Sequence, residues 1–260
     1  RLGVSRFKVG RLLDRAIREQ AVRIEIVHPA ARLVAQEDQL RERFGLTEAV
    51  VVDVPEGEDP QLARERVAQA AADLLATMAP TGVIGVSWGR TMIELANRLQ
   101  PGWTSADQIV QLNGAISRST QPTRYQEVVE LFGTTTGAAI QSLPAPAIVG
   151  TSELREALEA DPSVAAPLKA ARLAQSAVFG MGVMGPESVH VASGYLDRGD
   201  LRRLQKAGAV GDVLGRFITI DGRIALPSLD ERTVGLPLSQ LCGKRTVGLA
   251  AGPGRGPVAL

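Results

Sequence analysis

Residues 83–91, VIGVSWGRT, decide the fold class, because they join an apolar strand to a helix through a loop that contains glycine. Residues 177–185, AVFGMGVMG, and residues 246–256, TVGLAAGPGRG, show the same pattern. Strands that alternate with helices, without clear two-residue hairpins, indicate a parallel sheet covered by helices on both faces. The sequence therefore predicts an α/β fold with a Rossmann-like, doubly wound, mostly parallel sheet.

These three strand–helix loops are candidates for a single binding site. In a parallel sheet they converge outside the carboxyl ends of the strands, where such folds bind ligands. Glycine lets the backbone approach a ligand, the following helix favours an anion, and Ser87, Arg90 and Thr91 add donors around Gly89. The alternative is that these turns use glycine for conformational reasons alone. None of the loops matches a dinucleotide-binding motif or a P-loop, so no nucleotide cofactor is expected.

Composition excludes several classes of protein. With 260 residues, 45% hydrophobic and 22% charged, the chain is not a disordered tail, a collagen-like repeat or a coiled-coil rod. No apolar run predicts a transmembrane helix and the first residues do not resemble a signal peptide, so we expect a cytoplasmic protein without membrane contact. The single cysteine, Cys242, and the two histidines, His28 and His190, predict no disulfide, metal site or His-dependent triad. His190 is expected to be a packed or surface histidine.

The first 27 residues differ from the rest in charge. They hold seven basic and three acidic residues, a net charge of +4, whereas the whole chain sums to +1. Ser5 is a candidate N-cap for a helix whose apolar stripe is formed by Val9, Leu12, Leu13, Ala16 and Ile17, and residues 22–27 alternate like a strand. A turn, a basic amphipathic helix and a short strand are typical of the second half of a winged helix-turn-helix. The alternative is a solvated helix face.

This pattern predicts domain boundaries and a DNA-binding surface. Residues 1–27 are expected to be the C-terminal part of a DNA-binding domain whose first half lies upstream, residues 28–45 a linker helix closed by Gly45, and residues 46–260 an effector domain. The residues predicted to contact DNA are Ser5, Arg6, Lys8, Arg11 and Arg15. In the body, residues 48–54 predict a buried strand, and Asp59 with Pro60 predicts the start of a helix that runs to about Met78.

Several co-linear segments resemble the SorC/DeoR-type family of bacterial transcriptional regulators, the branch with a sugar-binding effector domain. They are residues 2–27, GVSWGRT at 85–91, VQLNG at 110–114, PAPAIV at 144–149, and AVGDVLGRF at 209–217 followed by DGR at 221–223. The resemblance runs along nearly the whole chain. It implies a fold similar to sugar-phosphate isomerases and CoA transferases, binding to operator DNA, and a phosphorylated sugar or polyol as effector. It also implies a homodimer or homotetramer.

The resemblance assigns roles to individual residues. A phosphate would be held by Ser87, Gly89, Arg90 and Thr91. The sugar would lie against Asn113 and Gly114, with a second wall formed by Gly180 and Gly182. Asp212 would accept hydrogen bonds from hydroxyl groups. Gly85, Trp88 and Arg255 complete the predicted effector-binding set. For Trp88 two positions stay open, stacking on a sugar or packing under the loop. Neither catalytic residues nor a cofactor are expected.

The sequence departs from the family pattern at its last glycine loop, where Arg255 falls near the place of a lysine. The family also continues beyond Leu260, so we expect a truncated C-terminus. The alternative function is a sugar-phosphate isomerase on the same fold, which needs a general base near the phosphate loop. Asp212 is its candidate, and no acid–base partner for it is evident.

Overall fold

The computed structural model describes residues 32–55, 57, 59–119 and 127–252. Backbone contacts divide the chain into residues 1–31 and residues 32–260. All described residues belong to the second unit. The predicted DNA-binding residues and Arg255 therefore lie outside the described part of the chain.

The described unit alternates helices with strands. Its helices are α1 (Val34–Phe44), α2 (Pro60–Met78), α3 (Arg90–Ala96), α4 (Val128–Thr134), α5 (Ser152–Ala160), α6 (Pro162–Leu173), α7 (Val189–Ala192), α8 (Arg198–Lys206) and α9 (Pro227–Asp230), with a 3-10 helix at Leu238–Leu241. Its strands are β1 (Thr81–Val86), β2 (Ser105–Gln111), β3 (Ala139–Gln141), β4 (Ser176–Val183), β5 (Ala209–Val213), β6 (Arg216–Thr219) and β7 (Arg245–Leu249). No helix of the described residues is long and apolar enough to cross a membrane.

Two predicted helix boundaries are confirmed. The helix expected within residues 28–45 is α1, which begins at Val34 and is closed as predicted by Gly45, with a left-handed φ of 63°. The side chain of Asp59 accepts a hydrogen bond from the Gln61 N–H at 2.8 Å, and Pro60 follows at the first helical position of α2.

The sheet is mostly parallel, as predicted. Strands β3, β2, β1, β4 and β7 lie side by side in that order, with every neighbouring pair parallel. The second half of β4 pairs antiparallel with β5, which pairs antiparallel with β6. Strand β4 therefore changes neighbours along its length, from β1 and β7 at its start to β5 at its end.

Helices cover both faces of the sheet. Successive strand residues point to opposite sides, so neighbours along one strand pack in different cores. Ile84, Ile109 and Val178 belong to a core with residues of α2, α3 and α4. Val110, Ala177 and Phe179, their neighbours along the same strands, pack in a second core with Ala171 of α6. The doubly wound architecture is confirmed.

A two-residue hairpin, which the sequence did not predict, joins β5 to β6. Val213 pairs with Arg216, and the two turn residues have positive φ angles, 56° at Leu214 and 80° at Gly215. This is the geometry of a type I′ turn, which usually carries asparagine, aspartate or glycine at its first position. Leu214 gives no such signal, so the expectation of a sheet without two-residue hairpins was wrong.

Two further predictions need correction. Residues 48–54 do not form a buried strand, because among described residues they make only an isolated bridge between Val52 and Arg32. Their β-branched side chains favour extended backbone, but the segment packs along the start of α1 instead of entering the sheet. The prediction that Gly180 and Gly182 lie in a strand–helix loop is also wrong, since both lie within β4.

Candidate functional site

One pocket collects most of the predicted effector-binding residues at the carboxyl edge of the sheet. Its lining is Ser87, Trp88, Gly89, Arg90, Thr91, Met92, Asn113, Gly180, Met181, Gly182, Val189, His190, Asp212, Leu214 and Gly215. These residues come from the ends of β1, β2 and β4, the start of α7 and the β5–β6 hairpin. The predicted residues Gly85 and Gly114 are not part of this lining.

The loop after β1 forms one wall of the pocket and is bonded to the strand that forms another. The Ser87 N–H donates to the Val178 carbonyl at 3.0 Å, and the Ser87 Oγ accepts from the Gly180 N–H at 3.1 Å. The α3 helix then begins after Gly89, whose φ of 140° suits glycine. The loop and β4 therefore hold each other in place.

Arg90 lies at the mouth of the same wall. Its Nη2 donates to the Glu187 carbonyl, which fixes the direction of the guanidinium. Its Nε is buried and has no hydrogen-bond partner in the described part of the chain. A buried N–H of this kind can donate to an anionic or hydroxyl oxygen of a ligand.

Trp88 packs under the loop and also belongs to the pocket lining, so that its stacking on a sugar stays a prediction. The ring is buried, and its Nε1 donates to the Gly114 carbonyl at 2.7 Å. It also contacts the His190 ring edge-on, with centroids 5.4 Å apart. Trp88 thus links the loop after β1 to the loop after β2.

The end of β2 contributes Asn113, whose Oδ1 is buried and unpartnered among the described residues. Asn113 forms an isolated bridge with Gly235, which fixes its backbone at the pocket. Gly114 lies outside the pocket lining, and a Cβ there would lie 2.3 Å from the Pro146 carbonyl oxygen. Gly85 likewise allows Leu112 to pack closely against β1. Both glycines allow close packing outside the pocket lining.

Asp212 and His190 form a buried pair on the opposite wall. The Asp212 Oδ2 lies 2.9 Å from the His190 Nε2 and accepts the Gly215 N–H at 3.0 Å. The expectation of a packed His190 is confirmed, since its ring also lies edge-on to Phe217. The expectation that Asp212 lacks an acid–base partner was wrong, because His190 approaches it from α7, 22 residues earlier in the chain.

His190 and Asp212 both belong to the pocket lining, and each has one more polar side-chain atom. If the His190 Nε2 carries the proton donated to the carboxylate, the Nδ1 is an acceptor. That Nδ1 and the Asp212 Oδ1 are buried and lack partners within the described ranges. Four of the five such atoms found there belong to pocket residues, namely Arg90, Asn113, His190 and Asp212. The pocket residues therefore carry two oxygen acceptors, one cationic donor and an imidazole nitrogen whose role follows from the tautomer.

One further titratable group, Tyr195, lies beside residues of the pocket lining. Tyr195 packs beside Trp88 and His190, and burial raises the pKa of its hydroxyl, which donates to the Ile116 carbonyl. Across the described residues, no cluster of three or more His, Cys, Asp or Glu side chains is arranged to hold a metal ion.

An α/β domain with a pocket at its carboxyl edge, lined by several polar side chains, defines a class of small-molecule-binding domains. Residues 28–256 match the family described as "Putative sugar-binding domain". The chain is 30% identical over 254 residues to the deoxyribonucleoside regulator of Bacillus subtilis, covering 98% of this chain and 81% of that protein. The chain belongs to this sugar-binding-domain family of SorC/DeoR-type transcriptional regulators, and the resemblance found in the sequence is confirmed.

Solved structures agree with this assignment. A DeoR family transcriptional regulator from Listeria monocytogenes superposes with a TM-score of 0.76 at 27% identity, over 87% of this chain and 90% of that one. The full-length sorbitol operon regulator SorC from Klebsiella pneumoniae gives 0.75 at 23% identity, over 98% and 82%, and shows the shared fold. The chain is thus a transcriptional regulator, and these relatives favour that function over a sugar-phosphate isomerase.

Proposed function

We propose that the pocket binds a phosphorylated sugar or polyol, and that this ligand controls the affinity of the regulator for operator DNA. The observation that carries the proposal is that four residues from separate elements, each with a buried and unpartnered polar atom, line one pocket of the described unit. Buried polar groups are normally hydrogen-bonded, so such a cluster favours a ligand rich in hydroxyl groups.

The two walls suit different parts of such a ligand. The Asn113 Oδ1 and the Asp212 Oδ1 can each accept a hydrogen bond from a hydroxyl group, and the His190 Nδ1 can do so in the tautomer protonated at Nε2. On the other wall, the Arg90 Nε favours an anion. Arg255, which lies outside the described residues, remains a predicted phosphate contact.

The proposed mechanism is a shift between two states of the regulator. A ligand that binds one arrangement of subunits better than another moves the population toward it, without a covalent step. Residues 1–27 would contribute to DNA binding, residues 28–45 would form the linker, and residues 46–260 would form the effector domain. A homodimer or homotetramer would present two recognition helices to two half-sites.

The names of relatives suggest which compounds to test. One is the deoxyribonucleoside regulator given above, and another is the erythritol catabolism regulatory protein EryD of Brucella abortus, 26% identical over 256 residues. That match covers 97% of this chain and 80% of that protein. With the sorbitol regulator, these names favour a panel of 2-deoxyribose, erythritol and sorbitol, each tested free and as its monophosphate.

A thermal-shift measurement with these six compounds tests the proposal. Ligand at 100 times its dissociation constant stabilises the folded state by about 2.7 kcal/mol. For a domain of this size, that raises the melting temperature by about 5–10 °C. We expect at least one monophosphate to give such a shift and its free form a smaller one. The Asp212→Ala variant should lose the shift. Equal shifts in wild type and Asp212→Ala would place the ligand elsewhere.

A further inference from the structure

Arg216 is a buried arginine that the proposed function does not use. It follows the Leu214–Gly215 turn as the first residue of β6, and its side chain is 8% exposed. All three guanidinium nitrogens point to one segment, residues 230–236. The Nε donates to the Leu236 carbonyl at 3.2 Å, and the Nη1 donates to the Asp230 carboxylate at 2.6 Å. The Nη2 donates to the Gly235 carbonyl at 3.1 Å and to the Thr233 carbonyl at 3.4 Å.

Residues 230–236 in turn hold the strand end that carries Asn113. The Leu236 N–H donates to the Leu112 carbonyl at 2.8 Å, and the Gly114 N–H donates to the Val234 carbonyl at 3.1 Å. Gly235 bridges Asn113 itself so closely that a Cβ at residue 235 would lie 2.7 Å from the Asn113 Cα. The position of Asn113 therefore depends on this segment.

The backbone of Arg216 belongs to the other wall of the pocket. Arg216 pairs with Val213 across the turn, and Asp212 pairs with Phe217. The turn also supplies the Gly215 N–H that fixes the Asp212 carboxylate. Arg216 thus connects two parts of the site. Its backbone belongs to the hairpin that carries Asp212, and its guanidinium binds the segment that holds Asn113.

We propose that Arg216 is a positioning residue, which sets the separation of Asn113 and Asp212 and thereby the fit of the pocket to its ligand. The proposal rests on the proposed function only for the identity of the ligand. Arginine suits this role because its planar guanidinium offers five N–H donors in fixed directions, which several carbonyl oxygens can accept together. A lysine ammonium at the same position has three donors and cannot reach all of these acceptors.

The test compares Arg216→Lys with Arg232→Lys as a matched control. Arg232 lies in the same loop and donates to carbonyl groups of Ser228, Val149 and Gly150, away from the pocket lining. Hydrogen exchange of the unliganded chain should be at least tenfold faster at the Gly114 and Leu236 amides in Arg216→Lys, and unchanged there in Arg232→Lys. Unchanged exchange at Gly114 in Arg216→Lys would overturn the proposal.

A binding measurement separates positioning from general support of the fold. Calorimetry with the same six compounds, well below the melting temperature, should show binding at least tenfold weaker in Arg216→Lys for each compound that binds wild type. Asn113→Ala should weaken binding in wild type but have little further effect in Arg216→Lys, because Asn113 is already displaced. An unchanged affinity, or an unchanged effect of Asn113→Ala, would show a purely structural role and refute positioning.

The role of Arg216 can still be tested if Arg216→Lys does not fold or if no compound binds wild type. If Arg216→Lys fails to fold, Asp230→Ala replaces it, since that variant removes the side-chain acceptor of the Nη1, whereas the Oδ1 of an asparagine would still accept from it. The same two readouts then apply, with the same direction. If none of the six compounds binds wild type, the proposed function fails, and exchange at Gly114 alone decides for or against the role of Arg216.

Discussion

The Nε2 atom of His190 lies 2.9 Å from the Oδ2 atom of Asp212, and both side chains are almost excluded from solvent, at 2% and 6% exposure. The Gly215 N–H donates to the same oxygen. The other carboxylate oxygen, Oδ1, is therefore the one left for a ligand. A single carboxylate closes a turn, orients an imidazole and provides an acceptor in the pocket.

Replacing Asp212 by asparagine should weaken effector binding at least tenfold, which corresponds to about 1.4 kcal/mol. The amide keeps the size of the carboxylate but presents an NH₂ donor on one side, where either His190 or the ligand needs an acceptor. Titration calorimetry with the active compound measures the effect. The control is Asp221→Asn, an exposed carboxylate after the same hairpin, which should bind like wild type. Equal affinities in both variants would remove Asp212 from the site.

Two neighbouring glycines of β4 should respond differently to alanine. A Cβ at Gly182 would lie 1.8 Å from the Asp212 Oδ1, whereas a Cβ at Gly180 meets only the Met92 Cγ at an ordinary 3.6 Å. Gly182→Ala must displace a carboxylate that is held by two hydrogen bonds, so we expect a loss of about 2 kcal/mol in the free energy of unfolding. Gly180→Ala should change it by less than about 1 kcal/mol. Urea denaturation compares them, and equal losses would contradict the close contact.

Arg90→Ala should reduce the preference for the phosphorylated form of the ligand. The guanidinium belongs to the wall that is proposed to bind the phosphate. We therefore expect the monophosphate to bind about tenfold more weakly, which corresponds to about 1.4 kcal/mol, and the free compound to bind nearly as before. Operator affinity of the full-length regulator without ligand should be unchanged. Arg202→Ala, on the exposed face of α8, is the control. A uniform loss for both forms would place the phosphate away from Arg90.

Glu37 should make stability dependent on pH. Two hydrogen bonds from the Arg32 guanidinium, and a third from the Val51 N–H, lower the pKa of the Glu37 carboxyl. Because the pKa of Glu37 is lower in the folded state, its ionised carboxylate stabilises the protein at pH values above the unfolded-state pKa of about 4.3. This contribution is lost as the pH falls through the folded-state pKa. Because Arg32 is half exposed, solvent weakens the effect.

Glu37→Gln should therefore unfold at lower urea concentration than wild type at pH 7, and the difference should shrink below about pH 4. Glu42→Gln, an exposed position on the same helix, should match wild type at both pH values. A difference between Glu37→Gln and wild type that is constant from pH 7 to pH 3 would show that the charge of Glu37 plays no part.

The sequence predicted the parallel sheet and the first wall of the pocket because their signals are local. An apolar strand, a glycine loop and a helix start lie within residues 83–91, and parallel strands bring their ends to one edge. The hairpin was missed because Leu214 adopts a left-handed φ that its residue type rarely signals. Residues 48–54 were misassigned because β-branched side chains favour extended backbone without specifying a partner strand.

The site was harder to predict where it depends on contacts between distant elements. His190 meets Asp212 only because α7 packs against the β5–β6 hairpin, which no periodicity in either segment reveals. Gly182 was recognised as part of the site but placed in a loop, because glycine weakens a strand pattern. Its small size is needed inside β4 by the carboxylate on the neighbouring strand.

The change of neighbours along β4 has a consequence for the order in which the domain can assemble during synthesis. Its first residues lie between β1, about 90 positions earlier, and β7, about 70 positions later. Until residues 245–249 have left the ribosome, the backbone of β4 has one open edge, which can pair with another chain. Nascent chains of this regulator should therefore depend on shielding by a chaperone until translation of the last strand is complete.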